Sequence, residues 1–296
     1  MGWDVPTTKP TAKPSEPEKK KQEQNTPTIT DEQVESWLFD EGEKTSSNVC
    51  CALYGFDGTA KSGIALDCRN EEEKQAGKKV IVFDLDGGCM PLKVIYHDND
   101  PNIIIKNPLV RDDEGEIDYE GTFKKIKKTL DYIERNISKM NIKAFVFDGL
   151  DKFLKNCELS MRKKFGLEIT DGAKFLYWND RNIKYSSVIE QIKLMDVDRY
   201  YITHMKKDEN GNMIPDWEKK TPDMMFQRVR CFREVKVEGG EKVTYMKAEI
   251  DKCKTNLALE GQIYTIAETR QKVDGETVSK WYGLKFTKDN KIQQNK

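Results

Sequence analysis

The chain has 296 residues, enough for one large α/β domain with appendages or for two small domains. Charged residues make up 34% and hydrophobic residues 37%, and the formal net charge of -1 argues against a surface that binds nucleic acid all over, while leaving room for a local basic groove. We expect neither a zinc site nor a membrane span, because the seven cysteines form no C-x-x-C pair, only two histidines are present, and no apolar run approaches roughly 20 residues.

The N-terminal segment, residues 1–28, is expected to be a disordered tail. It holds five of the ten prolines among Lys, Glu, Gln and Thr, and so polar a stretch buries too little apolar surface to offset its ordering entropy. Order is expected to begin near Thr30, where Thr30-Asp31-Glu32-Gln33 has the spacing of a capping box. The short helix that follows would place Val34, Trp37 and Leu38 on one face.

Short apolar runs then alternate with helical patterns. The helix predicted from Tyr119 to Met140 carries one apolar stripe, which consists of Phe123, Ile126, Leu130, Ile133 and Ile137. A second helix is predicted around Val188 to Met195. The strand-like runs are Val49 to Tyr54, Val80 to Phe83, Ala144 to Phe147 and Tyr200 to Thr203. This alternation predicts an α/β fold with a mostly parallel sheet flanked by helices.

Beyond Gln227 the pattern changes to antiparallel strands joined by hairpin turns at Gly239-Gly240 and Asp274-Gly275. The predicted strands are Arg230 to Val237, Val243 to Ile250, Gln262 to Ala267 and Val278 to Phe286. We therefore divide the chain into the tail, a main domain over residues 29–256, and a C-terminal β-hairpin extension over residues 257–296.

A phosphate-binding loop is predicted after the first apolar run. A glycine-containing loop between a strand and a helix points backbone N–H groups at a phosphate, and the helix dipole favours the negative charge. Lys61 would reach the β- and γ-phosphates of a nucleotide, and the Ser62 hydroxyl would coordinate magnesium. The usual pattern has glycine where Ala60 stands, and an alanine fits there if its φ is negative. The loop residues are Gly55, Phe56, Asp57, Gly58, Thr59, Ala60, Lys61 and Ser62.

Carboxylates end two other apolar runs. Asp148 follows Ala144 to Phe147, as the magnesium-binding carboxylate of a nucleotide triphosphatase does, and a parallel sheet would bring it to the phosphate loop. Asp86 is our choice, over Asp84, for the carboxylate that orients the attacking water, although a solvated turn carboxylate explains the pattern nearly as well.

His204 ends the fourth run, where a polar side chain can contact the γ-phosphate, although a lone histidine is as often structural. The long polar segment that follows, Met205 to Thr221, is typical of a mobile loop.

These motifs, in this order, resemble the RecA-like ATPases, and most closely the phage and archaeal members related to single-strand-annealing recombinases. The resemblance covers roughly Val49 to Thr255. It implies ATP and Mg²⁺ as ligands, Asp86 as the catalytic acid and His204 as the γ-phosphate sensor. It also implies a ring or filament in which Lys252 and Lys254 reach the γ-phosphate of a neighbouring subunit.

The sequence departs from the family at Ala60 and in having Asp instead of Glu at position 86. From about Leu257 onward the chain matches nothing in the family.

Cations and aromatic residues interleave between Cys157 and Arg181, a mixture suited to single-stranded DNA, although an amphipathic helix that buries its aromatic residues explains it as well. We therefore expect a cytoplasmic ATPase of phage type (host cytoplasm if viral) in DNA recombination, annealing or repair. The alternatives are a DNA helicase or packaging motor, and a nucleotide-dependent switch or scaffold with little turnover.

Overall fold

A computed structural model describes residues 30–39, 48–272, 275–287 and 291–295, and divides them between two units, Met1–Thr45 and Ser46–Lys296. The first unit contributes one described helix, α1 (Asp31–Phe39), which begins directly after Thr30, where the capping-box spacing predicted a helix. The prediction of a disordered tail over residues 1–28 lies outside the described residues, as do the side chains of Trp37 and Leu38.

The second unit is an α/β fold. Its helices are α2 (Lys61–Leu66), α3 (Glu71–Gln75), α4 (Cys89–Tyr96), α5 (Tyr119–Met140), α6 (Leu150–Lys164), α7 (Phe175–Leu194) and α8 (Thr221–Met224). Its strands are β1 (Cys50–Gly55), β2 (Lys79–Asp84), β3 (Ile103–Lys106), β4 (Ile142–Asp148), β5 (Asp198–Thr203), β6 (Met205–Lys207), β7 (Met213–Pro215), β8 (Gln227–Glu238), β9 (Glu241–Cys253), β10 (Ile263–Gln271), β11 (Thr277–Trp281), β12 (Lys285–Phe286) and β13 (Ile292–Gln293).

The described residues form a nine-stranded sheet in the order β11-β10-β9-β8-β1-β5-β4-β2-β3. Six neighbouring strands, from β8 through β1 to β3, run parallel, and β9, β10 and β11 continue the sheet antiparallel beyond β8. Strand β5 lies between β1 and β4, so the phosphate-loop strand and the strand that ends at Asp148 are not neighbours. The predicted fold class, a mostly parallel sheet flanked by helices with antiparallel strands on the C-terminal side, is confirmed.

Both faces of the central parallel strands β1, β2, β4 and β5 are buried, which explains why those strands read as continuous apolar runs. Along β4, Val146 packs on the face that α2 covers, whereas Phe145 and Phe147 pack on the opposite face, against α5, α6 and α7. The predicted stripe of α5 packs on that second face, with Ile126 and Leu130 fully buried. All seven cysteines are among the described residues and are buried, and none of them forms a disulfide there.

Several elements differ from the sequence expectation. The helix expected around Val188 to Met195 is the end of the longer α7, and β3 was not anticipated. The predicted strand Val278 to Phe286 stops at Trp281, because Gly283, with a φ of 65°, turns the chain and the next strand, β12, pairs with β13 instead.

The segment from Met205 to Thr221, expected to be a mobile loop, contains the β6–β7 hairpin and leads into α8, and its mobility stays a prediction. The turn at Gly239-Gly240 is confirmed, with both glycines at positive φ, whereas Asp274 of the other predicted turn lies outside the described residues. The domain boundary after residue 256 stays a prediction, although β10 and β11 belong to the same sheet as β1. No helix in the described parts of the chain is long and apolar enough to span a bilayer.

Candidate nucleotide-binding site

The loop 55–62 connects β1 to α2 at the carboxyl edge of the parallel strands. Gly55 lies so close to β8 that a Cβ there would collide with the carbonyl oxygen of Cys231, so this position tolerates no side chain. Gly58 has a φ of 66°, which only glycine adopts without strain. Both loop glycines are therefore required by the local geometry, and the chain forms the strand, loop and helix that a phosphate site needs.

Ala60 immediately precedes α2 and has a φ of 66° and a ψ of 18°. The chain therefore does not adopt the negative φ at which an alanine would fit here. In the left-handed region the Cβ of an L-residue approaches the following carbonyl oxygen, at a cost of about 1–2 kcal/mol. The loop keeps the backbone conformation that favours glycine and carries the strain of a side chain in it.

The side chain of Lys61 is folded onto the loop. Its Nζ donates to the carbonyl oxygens of Gly55, at 3.1 Å, and Phe56, at 2.7 Å, and the residue is only 6% exposed. Burial lowers the pKa of the ammonium from its ordinary value, and the carboxylates of Asp148, Asp57 and Asp86 oppose that shift. The carbonyl bonds therefore hold a buried cation at the mouth of the loop.

Asp148 lies against the start of α2. Its Oδ2 accepts a hydrogen bond of 2.6 Å from the Ser62 hydroxyl and one of 3.0 Å from the Cys89 thiol, while its Oδ1 is buried without a hydrogen-bond partner among the described residues. Burial raises the pKa of the Asp148 carboxyl. A hydroxyl and a carboxylate with an unused oxygen are hard donors that fit a hydrated Mg²⁺.

Asp84 and Cys89 extend this cluster, since their ligand atoms lie within 4.8 Å of each other and of Asp148. Asp84 is committed to the backbone, because its two oxygens accept from the N–H groups of Gly87 and Cys89 at 2.6 and 2.9 Å. These two hydrogen bonds close the turn after β2. The other carboxylate of the turn, Asp86, lines the cavity described below.

Asp86 and His204 meet at the strand ends, although 118 residues separate them in sequence (204 minus 86). His204 Nε2 lies 3.2 Å from Asp86 Oδ2 and 2.8 Å from Asp57 Oδ1, and its Nδ1 lies 3.1 Å from Asp151 Oδ2. The hydrogen bond to Asp151 raises the pKa of His204, which favours an imidazolium among three carboxylates. Lys152 Nζ lies 3.4 Å from the other oxygen of Asp86.

Sequence reasoning singled out Asp86 and His204 separately, treated Asp151 only as a substitute for Asp86 as the acid, and did not include Lys152 in the site. Asp151 and Lys152 follow Gly149-Leu150 at the start of α6, three and four residues after Asp148, and that position was the signal that could have placed both in the site.

Lys252 and Lys254 lie elsewhere. The Nζ of Lys252 donates to the carbonyl of Pro222 at 2.9 Å, and that of Lys254 to the carbonyl of Asp223 at 3.1 Å, both in α8. The end of β9 pairs with the start of β8, which in turn lies beside the start of β1, so the lysines sit at the opposite edge of the sheet from the loop 55–62. The chain does not bring them to its own phosphate loop.

A cavity of about 960 Å³, within the range of small-molecule sites, joins these groups. At one end it is lined by residues 57–63 of the loop and by Asp86, Asp148 and His204. At the other end it is lined by α4 and by strands β9 to β11, none of which the sequence assigned to the site. The lining residues of that end are Leu92, Tyr96, Met246, Thr269, Ser279 and Trp281, among others.

The cation-rich segment 157–181 forms a surface cluster between α6 and α7. The rings of Phe165 and Tyr177 stack with centroids 4.1 Å apart, and the Arg181 guanidinium lies 4.6 Å from the centre of the Trp178 ring. Phe175, by contrast, is 82% exposed. Two of these aromatic rings therefore pack on each other and a third packs on arginine, so the segment does not bury all of its aromatic residues, and the DNA contact stays a prediction.

A loop between β1 and α2, a buried carboxylate at the end of β4, and one strand inserted between them define the class: the chain has the fold of the RecA-like P-loop ATPases. No protein-family model and no curated protein matches the sequence.

Two solved structures are similar to this chain. A RadB recombinase is 14% identical over 84% of this chain and 91% of its own, with a TM-score of 0.42. A KaiC-like protein from the hyperthermophilic archaeon Pyrococcus horikoshii OT3 is 13% identical over 83% of this chain and 89% of its own, with a TM-score of 0.43. Likeness at this level concerns the fold and says nothing about activity.

Proposed function

We propose that this chain binds ATP with Mg²⁺ on the loop 55–62 and hydrolyses it. The observation that carries the proposal is the hydrogen bond of 2.6 Å between the Ser62 hydroxyl and Asp148, next to the buried ammonium of Lys61. A hydroxyl at the start of the helix and a carboxylate at the end of a buried strand are the pair that holds magnesium in P-loop enzymes. Here the two groups touch across 86 residues of sequence.

Phosphate binding uses the groups of the loop. Backbone N–H groups at the start of α2 have no carbonyl partner within the helix and are available to phosphate oxygens. A charged phosphate oxygen is a stronger acceptor than a carbonyl, so the Lys61 ammonium is expected to exchange Gly55 and Phe56 for the β- and γ-phosphates. Ser62 and Asp148 would hold the Mg²⁺, which neutralises charge on those phosphates when it is bound.

Hydrolysis requires a group that orients water. Asp86 is the candidate, since its carboxylate lines the cavity beside the loop and contacts both His204 and Lys152. These two contacts fix the direction of the Asp86 carboxylate, so that one oxygen can accept a hydrogen bond from a water molecule. His204 would contact the γ-phosphate once its ring leaves Asp57. Its hydrogen bond to Asp151, at the start of α6, would transmit that contact to α6.

The finer proposal is that hydrolysis serves DNA recombination, annealing or repair in an assembly of several chains. It is supported by the family resemblance of the sequence and by the cluster of cations and aromatic residues between α6 and α7. Because Lys252 and Lys254 lie at the far edge of their own sheet, a role at a γ-phosphate requires the nucleotide of a second subunit.

A switch with little turnover is the second candidate, and the strained backbone at Ala60 favours it. A side chain in the left-handed region stiffens the loop at the residue before Lys61, where catalysis needs fine positioning of the phosphates. Such a loop would bind nucleotide and turn it over slowly.

The test is phosphate release at saturating MgATP without DNA, with single-stranded DNA and with double-stranded DNA, together with calorimetric titration of Lys61→Ala. The proposal expects hydrolysis that single-stranded DNA stimulates, and no measurable ATP binding by the variant. Tight ATP binding without turnover under all three conditions would favour the switch. Unchanged affinity in Lys61→Ala would overturn the phosphate-loop assignment.

A further inference from the structure

We propose that the C-terminal strands β9, β10 and β11 form a platform on which the base of the bound nucleotide stacks, with Trp281 as its central ring. This inference rests on the proposed function, because it concerns the far end of the same cavity. It gives a role to the segment after residue 256, which the sequence left without one.

The platform is a property of the strand register. Met246 pairs with Ala267, and Ala267 pairs with Trp281, so these three side chains form one row across the three strands. Thr269 and Ser279 pair two residues further along, which places them on the same face because side chains alternate. All five residues line the cavity that contains Lys61 and Ser62. One apolar row and one hydroxyl row therefore face the interior of the nucleotide site.

Trp281 touches the phosphate-loop helix directly. A Cβ placed on Gly63, the residue after Ser62, would lie 2.8 Å from Cη2 of the indole, so the glycine is what allows the ring to come so close. The indole N–H donates to Asp67 Oδ2 at 3.0 Å. The ring thus lies beside the first turn of α2, next to the place where the proposed function puts the phosphates.

The C-terminal segment is anchored in that position. Asp67, at the end of α2, is 5% exposed. It also accepts a hydrogen bond of 3.0 Å from the Asn295 amide and forms an ion pair with Lys285 at 3.2 Å. Three groups from the segment after residue 256, including Trp281, therefore meet on one carboxylate of the phosphate-loop helix. A platform held in this way is positioned before a ligand arrives.

The chemistry of the platform suits a nucleobase. A sulfur atom, a methyl group and an indole offer a flat apolar surface, and Leu92 and Tyr96 from α4 also line the cavity. The hydroxyls of Thr269 and Ser279, 3.0 Å apart, can each donate or accept. Groups of this kind detect that a base is present and distinguish weakly between bases, so adenine and guanine nucleotides are expected to bind with affinities within about tenfold.

The experiment compares MgATP with magnesium tripolyphosphate, which has the phosphates and lacks the base, by calorimetry on the full chain. Wild-type protein should bind MgATP at least about tenfold more tightly, the effect of stacking one base on an aromatic ring. Trp281→Ala should remove that advantage and leave tripolyphosphate binding within about twofold of wild type, while Trp281→Phe retains most of it.

The control variant is Tyr282→Ala, an aromatic residue next to Trp281 whose hydroxyl donates to Glu268 and which does not line the cavity. It should bind both ligands as the wild type does. Thr269→Val, which leaves the anchor on Asp67 intact, should weaken MgATP binding alone, by about threefold.

If wild-type protein binds MgATP and tripolyphosphate equally, or if Trp281→Ala weakens both to the same extent, the platform is wrong while the phosphate loop stands. If neither ligand binds to wild-type protein, the proposed function fails together with the platform.

Discussion

The conformation of Ala60 can be tested by removing its Cβ. In Ala60→Gly the relief of left-handed strain is about 1–2 kcal/mol. Glycine also gives the unfolded chain more conformational freedom, which lowers the stability of the fold by about 0.4–1 kcal/mol. The variant further loses the half-buried methyl group, and with it part of the roughly 0.8 kcal/mol that burial of one carbon contributes. Taking midpoints, the balance is a stabilisation of about 0.4 kcal/mol. At a residue with negative φ the first contribution is absent, and the same change destabilises.

The assay is equilibrium urea unfolding of the full chain, with Ala76→Gly as the matched control. Ala76 is exposed and has a φ of -73°, so its replacement should lower the free energy of unfolding by about 0.4–1 kcal/mol. Ala60→Gly should therefore be more stable than wild type and Ala76→Gly less stable, and the free energies of unfolding of the two variants should differ by about 1 kcal/mol. If Ala60→Gly loses as much stability as Ala76→Gly, the left-handed conformation at this residue is refuted.

Three further outcomes follow from the site. Asp86→Asn should bind MgATP normally and release phosphate about 100-fold more slowly, and full turnover would mean that another carboxylate orients the water. The pKa of His204 is raised from its ordinary value of 6.5, so its pairing stabilises the fold fully below pH 6.5, and this contribution is lost as the pH rises through the higher pKa. In urea unfolding measured across this pH range, His204→Asn should therefore flatten the pH dependence of the free energy of unfolding. An unchanged pH dependence would contradict the pairing. Replacing both Lys252 and Lys254 with Ala should keep nucleotide binding and abolish assembly-dependent hydrolysis. Mixing this variant with Lys61→Ala should restore part of the activity. A mixture that co-assembles and stays inactive would rule out a role between subunits.

Local pattern was sufficient to predict the strand β1, the loop 55–62 and the helix α2, while the phosphate-binding role of the loop stays a proposal. The run before Gly55 and the helix after Lys61 lie within about 20 residues of each other, and their order alone predicts a strand, a loop and a helix. The meeting of Asp86 with His204 also follows from pattern, because the carboxyl ends of parallel strands converge at one edge whatever their separation in sequence.

The remaining features depend on contacts that no local pattern carries. The approach of Trp281 to Gly63 requires β8 to β11 to be paired in the observed register and Gly283 to end β11. In the sequence, this tryptophan is one aromatic residue in an unremarkable strand. The left-handed φ of Ala60 was likewise hidden, because an alanine at a glycine position reads most simply as a backbone that has moved to negative φ.

The charges around the loop bear on how a nucleotide can enter it. Among the described residues of the loop, of the Asp148 cluster and of the His204 and Asp86 contacts, two ammonium groups face five carboxylates, a formal balance of 2 - 5 = -3 before His204 is counted. A triphosphate adds further negative charge. Part of this excess is relieved within the chain, since burial raises the pKa of Asp148 and the carboxylates raise that of His204. The rest must come from cations that arrive with or beside the ligand: a magnesium ion next to Ser62 and, in an assembly, the lysines at the far edge of a neighbouring sheet. Under the proposed function, the acidic site would favour entry of the nucleotide as its magnesium complex, and cations from a second subunit would add to the few that this chain has at this edge. The five carboxylates are Asp57, Asp84, Asp86, Asp148 and Asp151, and the two ammonium groups are Lys61 and Lys152.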